Sequence, residues 1–482
     1  MFAKNDLVRL HITDMGIGKE GIGKVDSFPI FVKDALPGDY IEAKIIKAKK
    51  QYAYGRLERI LMPSSDRIEP LCPVHRACGG CQIAALDYRA ALRFKEERVK
   101  QQLSRLGGLS SERLAACMEP IIGMEEPYHY RNKAQFPVGR DADGRLLSGF
   151  YAAHSHRIIQ HEDCAIDQPQ ADDIRRRVLD FMQREGLTAY DEQTGRGLVR
   201  HIFVRIGHVS GQVMICLIIN EEPKRSRPWE AALVRELTET KPVASLASLC
   251  LNFQREANNV ILGSETRCLW GKPYIEDSLL GLHFHISVNS FYQVNSVQTE
   301  KLYQTALDYA ALTAEDVVWD IYCGIGTISL CAARQAGHVY GVEYVERAIS
   351  DAKENAARNG LTNTDFYAGA AEEVLPRLYA EENIRASVMI VDPPRKGCAP
   401  EVLKTIAQMA PKRLVYVSCD VATLARDVKR MEELGYRLEK VRAVDMFPWT
   451  VHVEVITLLS KLDSKKYISV ELPLDDMDLT SA

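Results

Sequence analysis

Four groups of residues carry the chemistry this chain can do. The first is Cys419, which follows the apolar, β-branched run Leu414–Val417 and precedes a helical pattern that starts near Thr423. A thiol at the carboxyl end of a buried parallel strand faces the cleft where open α/β sheets bind ligands. Such a thiol is a nucleophile or a buried structural cysteine, and its place in the pattern does not choose between them. The second group is a Gly-rich turn, Cys323-Gly-Ile-Gly326, entered from the strand-like run Val317–Asp320 and followed after Ile328 by a helix. Glu343 closes the next apolar run, where a carboxylate pairs with ribose hydroxyls. A dinucleotide fingerprint wants a third glycine where this chain has Ser329. An adenosine-sized ligand without a pyrophosphate needs less of that close helix approach, so S-adenosylmethionine fits better than NAD.

The third group is Asp392-Pro-Pro-Arg395, after the run Ala386–Val391. Its prolines stiffen the loop beside the methyl donor. An aromatic residue in the fourth place would stack on an adenine or cytosine; Arg395 argues against those targets. The fourth group is Cys72-Pro-Val-His-Arg-Ala-Cys78-Gly-Gly-Cys81, three thiols around a glycine pair. It reads as a metal-binding loop, with Cys164 the best distant candidate for a fourth ligand. Four thiolates suit zinc or an iron–sulfur cluster, and the spacing does not separate the two. His154, His156 and His161 are expected at the surface or on RNA rather than on a metal.

These groups need elements to hold them. The chain has 482 residues, enough for several domains. Its apolar and charged fractions, 46% and 26%, are those of a globular protein. The net charge of −4 excludes a general polyanion binder, so contact with nucleic acid has to be local. No signal peptide or membrane span is visible, so a cytoplasmic chain with reduced cysteines is expected. Alternating runs between residues 5 and 60, with Gly-rich turns expected at 16–18 and 21–23, predict a small β-barrel. Lys44, Lys47, Lys49 and Lys50 lead into Tyr52 and Tyr54, a mix suited to phosphates and unstacked bases. A lysine-rich edge strand would look the same. Residues 87–106 read as a charged surface helix, and Tyr128–Pro137 collects basic, amide and aromatic groups. The middle third reads as α+β; from about 285 the pattern is β-α-β. The expected division is 1–62 for the barrel, 63–285 for a central domain, 286–462 for a Rossmann-like domain and 463–482 for a tail.

The barrel resembles the TRAM domain. The chain as a whole resembles the bacterial RNA uracil-5-methyltransferases of the RlmC/RlmD type, the iron–sulfur branch acting on 23S ribosomal RNA. The resemblance rests on these motifs in this order: the barrel, the four cysteines, Tyr130-Arg-Asn-Lys133, Phe291-Tyr-Gln-Val-Asn295, Asp320–Gly326, Asp392–Arg395, Tyr416-Val-Ser-Cys419 and Asp445-Met-Phe-Pro448. It implies an α/β fold with a C-terminal methyltransferase domain and a 4Fe-4S cluster on Cys72, Cys78, Cys81 and Cys164. It implies donor contacts at Gln293, Tyr322, Glu343 and Asp392, a nucleophile at Cys419 and a base at Glu454, with Asp445 the rival for that last role. A transfer RNA uracil-5-methyltransferase is the nearest alternative, and a monomer is expected. Two residues depart from the family pattern: Asp420 in place of Asn, and Trp449 in place of His. An anion at 420 would be expected to raise the pKa of the adjacent thiol.

Overall fold

A computed structural model describes residues 2–16, 20–153, 155–223 and 226–462. The expected tail 463–482, the expected turn at 17–18 and His154 lie outside the described residues. The first five strands, Leu7–Met15, Glu20–Val25, Phe28–Lys33, Tyr40–Ala48 and Ala53–Met62, close into a barrel in the order first, second, third, fifth, fourth. Leu10, Ile12, Ile30, Val32, Ile41 and Ile45 alternate inward to fill it. The glycines at 21 and 23 do not form the expected turn; they lie inside the second strand. A Cβ on Gly21 would stand 2.4 Å from the Ala35 carbonyl oxygen, and one on Gly23 2.3 Å from that of His11. They are there for close backbone approach across a narrow barrel.

A six-stranded sheet forms the middle of the molecule, in the order Glu265–Gly271, Leu246–Phe253, Val213–Ile219, Val199–Ile206, Lys133–Arg140, Leu146–Ser148. Val199–Ile206 and Val213–Ile219 are buried along their whole length, because the sheet is covered on both faces. One face packs on the helices Pro169–Arg184 and Pro228–Arg235. The other joins a core with the hairpin Tyr274–Leu279/Leu282–Ser287 and the helix Ser296–Ala310.

The C-terminal sheet has eight strands. Thr364–Ala368, His338–Glu343, Val317–Ile321, Val388–Val391 and Arg413–Ser418 run parallel, followed by Glu454–Lys461, Tyr436–Val444 and, at the far edge, Met118–Ile122. Met118–Ile122 pairs parallel with Tyr436–Val444, so a segment expected in the 63–285 region completes the C-terminal sheet. The helix Tyr88–Arg105 goes with it: Val99 and Leu103 share a core with Trp319 and Tyr416. This helix is not the plain surface element its charge suggested. Lys95 is fully buried and ion-paired with the buried Asp445 of the Val444–Thr450 loop. Among the described residues no helix is long and apolar enough to cross a membrane.

Candidate active site

Strand register brings the chemistry together. Val388–Val391 and Arg413–Ser418 lie side by side and parallel, with Val391 opposite Tyr416. Asp392 and Cys419 therefore leave the sheet at the same end. Glu454–Lys461 runs antiparallel to Arg413–Ser418, with Ser418 opposite Val455. The first residue of that strand, Glu454, thus returns to the end where Cys419 leaves. All three line one cleft of about 1140 Å³, together with Arg395, Gln293, Tyr322 and Glu343.

All three acidic groups are raised, by burial first and then by neighbouring acids. Burial, then the charges of Glu454 and Asp392, push the Cys419 thiol up to about 11, while Arg395 pulls it down. Burial, then Asp392, holds Glu454 well above the usual carboxylate range, again against Arg395. Burial, then the charge of Asp320, lifts Asp392 to about 7. Asp320 itself is lifted to about 7, by burial first. Arg395 is an exposed cation that opposes the rise at both Cys419 and Glu454.

Asp320 was quoted within a motif but given no role in the sequence. It is the penultimate residue of the Val317–Ile321 strand and lines the cleft, buried, with one oxygen accepting from the Ser329 hydroxyl and the other without a partner among the described residues. Ser329 stands where a third glycine was sought, and its hydroxyl under the turn explains why. The turn itself takes left-handed backbone at Tyr322, Gly324 and Gly326, with φ of 73°, 56° and 82°. Glu343 fastens it: one carboxylate oxygen accepts from Gly324 N at 3.2 Å, the other from Val345 N at 3.0 Å. Gln293 is placed from the central domain, where Asn132 Nδ2 donates to its carbonyl oxygen at 2.9 Å.

The facing wall is basic. Arg131, Lys133 and Gln135 line the cleft at alternate positions. Burial, then the charges of Arg205 and Arg131, push Lys133 down to about 7. Asp167 lies behind Arg131, 3.4 Å from its Nε.

Asp420 does not act on Cys419 as expected. Its carboxylate caps the helix Val421–Glu433, accepting from Ala422 N and Thr423 N at 3.0 Å each. The charges that press hardest on the thiol are Glu454 and Asp392. Asp420→Asn keeps the cap and is expected to leave melting temperature and turnover near those of the parent. Asp420→Ala loses the cap and should cost about 1 kcal/mol in thermal unfolding. Asp445, the rival of Glu454, is buried between Lys95 and the Tyr88 hydroxyl (2.8 Å) and does not line the cleft. Trp449 is buried with φ of 66°; its indole donates to Pro127 O at 2.8 Å and its ring stacks on Tyr128 at 5.1 Å.

The cysteine loop forms part of the same cleft, through Gly80 and Gln82. Burial first, then the charges of Cys78 and Cys72, push Cys81 up to about 12. Cys164 is raised too, by burial first, with Cys81 among the causes. Cys81 thus feels Cys78 and Cys72, and Cys164 feels Cys81. Among the described residues no three or more His, Cys, Asp or Glu side chains are grouped to hold a single metal ion. His161 lies beside Cys164 but binds Asp172 at 3.0 Å, whose other oxygen accepts from Cys164 N. His156 pairs with Glu192 at the surface.

Residues 87–462 match the family model of tRNA (uracil-5-)-methyltransferases. The chain belongs to this family. It is an RNA methyltransferase that uses S-adenosylmethionine, with a TRAM domain matched at residues 4–57. An uncharacterized RNA methyltransferase of Listeria monocytogenes serotype 4b is 46% identical over 459 residues, covering 95% of this chain and 98% of that one. One from Clostridium tetani is 45% identical over 463 residues, covering 96% and 98%. The crystal structure of a Pyrococcus abyssi tRNA (uracil-54, C5)-methyltransferase in complex with S-adenosyl-L-homocysteine has the same fold. It matches with a TM-score of 0.71 over 94% of this chain and 100% of that one, at 23% identity.

Proposed function

We propose that this methyltransferase modifies carbon 5 of a uridine in 23S ribosomal RNA through a covalent bond from Cys419 to carbon 6. The observation that carries this is the meeting of Cys419, Asp392 and Glu454 at one sheet end, in one cleft with the donor turn. Carbon 5 of uracil is a poor nucleophile until sulfur adds to carbon 6 and makes the ring an enolate. Asp392 takes the thiol proton as the sulfur adds. Carbon 5 then takes the sulfonium methyl, leaving S-adenosylhomocysteine. Glu454 accepts the proton from carbon 5, and the carbon–sulfur bond breaks to restore the uracil and the thiolate. Gln293, Tyr322 and Glu343 hold the donor, Glu343 through its ribose. The base has to leave its stack to reach both sulfur and methyl. Arg131 and Lys133 suit the phosphates beside it. The work is read as cytoplasmic, where thiols stay reduced.

A transfer RNA uridine is the second reading, favoured by the name of the matching family model and by the archaeal neighbour. The fold match covers 94% of this chain, so the barrel alone does not separate the two substrates. Cys72, Cys78, Cys81 and Cys164 have the donor chemistry of a 4Fe-4S cluster. Bound there, it would cross-link the loop to the Cys164 segment.

The test is trapping on RNA carrying 5-fluorouridine, with S-adenosylmethionine present. Fluorine cannot leave as a proton does, so the adduct persists. An adduct mapped to Cys419 on 23S fragments, and absent on transfer RNA, supports the reading. The reverse preference selects the second substrate; an adduct on another side chain, or none, sinks the mechanism. Asp392 must be ionised to take the thiol proton, and its carboxyl sits near 7. We expect kcat/KM to rise with pH through the neutral range, and Asp392→Asn to change the shape of that rise with loss of most activity, Glu454 remaining as the second group that must ionise. A flat profile in the parent enzyme removes Asp392 from this role.

A further inference from the structure

Glu454 is reached by a short segment, Phe447–Val453, that also lines the cleft through Phe447, Thr450 and His452. Something must hold that segment, because it precedes the strand rather than lying in it. Both backbone groups of Val451 are tied to side chains from elsewhere. Val451 N donates to Gln82 Oε1 at 3.0 Å, and Val451 O accepts from Arg98 Nη1 at 2.8 Å. The other end of the Gln82 amide points into the cysteine loop: Nε2 donates to Gly80 O at 2.9 Å and to Gly79 O at 3.2 Å. This arrangement fixes the orientation of the amide, since an N–H must meet oxygen and the two carbonyls must meet the NH₂. The next residue repeats the link, with Ile83 N donating to Trp449 O at 3.0 Å.

We propose that Gln82 is a positioning residue: it ties the cysteine loop to the Val451 backbone and so sets where Glu454 stands. The proposal rests on the reading of Glu454 as the group that takes the carbon 5 proton. A single amide satisfies three backbone groups on two segments far apart in the chain. Removing it takes a partner from Val451 N and from Gly80 O together. Glu454 lies three residues further on, at the start of its strand, so a shift at Val451 passes to it through the backbone. Cys419 and Asp392 hang on other strands and do not depend on this link. The effect therefore falls on the late proton transfer rather than on the first bond to sulfur.

The experiment uses the full chain as purified, with Gln82→Met and Gln82→Glu. Methionine keeps the volume and loses every hydrogen bond; glutamate keeps the acceptor for Val451 N. Natural, unfluorinated RNA is the substrate, and the readouts are turnover, affinity for S-adenosylmethionine and the RNA–protein adduct that survives denaturation. We expect turnover of Gln82→Met to drop about tenfold or more, donor affinity to stay within about threefold, and the methylated adduct to accumulate because its resolution is slow. Gln82→Glu should accumulate less. Parent-like turnover in Gln82→Met overturns the proposal. So does a parallel loss of donor binding and adduct in both variants, which marks a residue that only supports folding. A parent enzyme that forms no adduct on 5-fluorouridine RNA refutes the underlying mechanism instead, so the two failures are told apart.

Discussion

Cys419→Ala should abolish methyl transfer while leaving the methyl donor in place. In the proposed mechanism the sulfur supplies the bond that makes carbon 5 reactive, and the other thiol of the cleft, Cys323, is buried in the Gly-rich turn. In the same reading Asp392, Glu454 and Arg395 move protons or balance charge and do not add to carbon 6. We expect turnover to fall by about 10⁴-fold or more, the scale on which loss of a nucleophile is felt. Affinity for S-adenosylmethionine should change by less than about threefold, because the donor turn and Glu343 stand on other strands. Cys419 is only half-buried, so alanine leaves little unfilled space and folding is expected to be unharmed. Single-turnover methyl incorporation and equilibrium donor binding, measured on the same preparation, check both halves. Residual turnover within a hundredfold of the parent would return Cys419 to a packing role.

The second large effect is on stability. Lys95 and Asp445 are both fully buried, and the lysine also donates to Phe447 O at 3.0 Å. Burial pulls the lysine pKa down while Asp445 pulls it up. Lys95→Met leaves a carboxylate in the interior with the Tyr88 hydroxyl beside it and no cation. Breaking such a pair from one side costs about 3–5 kcal/mol. The expected result is a clear loss of thermal stability, with hydrogen exchange accelerated first along Tyr436–Val444, the strand that leads into Asp445. Adding Asp445→Asn should recover part of the loss, because the stranded charge is then gone. A single variant as stable as the parent would mean that water reaches Asp445.

Cys419 and Asp392 were legible in the sequence because each follows a short apolar run that reads as a buried strand. Glycines and an acid marked the donor turn for the same reason. Glu454 was not legible from pattern alone: it starts its strand, and strand-end carboxylates are common, so the resemblance had to supply it. Asp320 was hidden in plain view, since a buried acid inside an apolar run has no periodicity of its own. Lys95 was concealed by its helix, whose many charges suggested a solvated surface. Met118–Ile122 was missed because five residues with a proline give a weak strand signal, and its partner lies more than three hundred positions on, a pairing only the folded chain reveals. Gln82 had no signal, because its partners are backbone atoms.

The parallel edge strand Met118–Ile122 has a consequence for how the molecule is made. On the ribosome it emerges long before Tyr436–Val444, the strand it must lie against. The barrel and the six-stranded sheet can fold as they appear, but this segment and the helix ahead of it must wait until almost the whole polypeptide has been synthesised. Closing so long a loop is slow rather than thermodynamically ruinous, since the entropy grows only with the logarithm of its length. During that interval the Val99 and Leu103 side of the helix is uncovered, and nascent chains should be most prone to chaperone capture there.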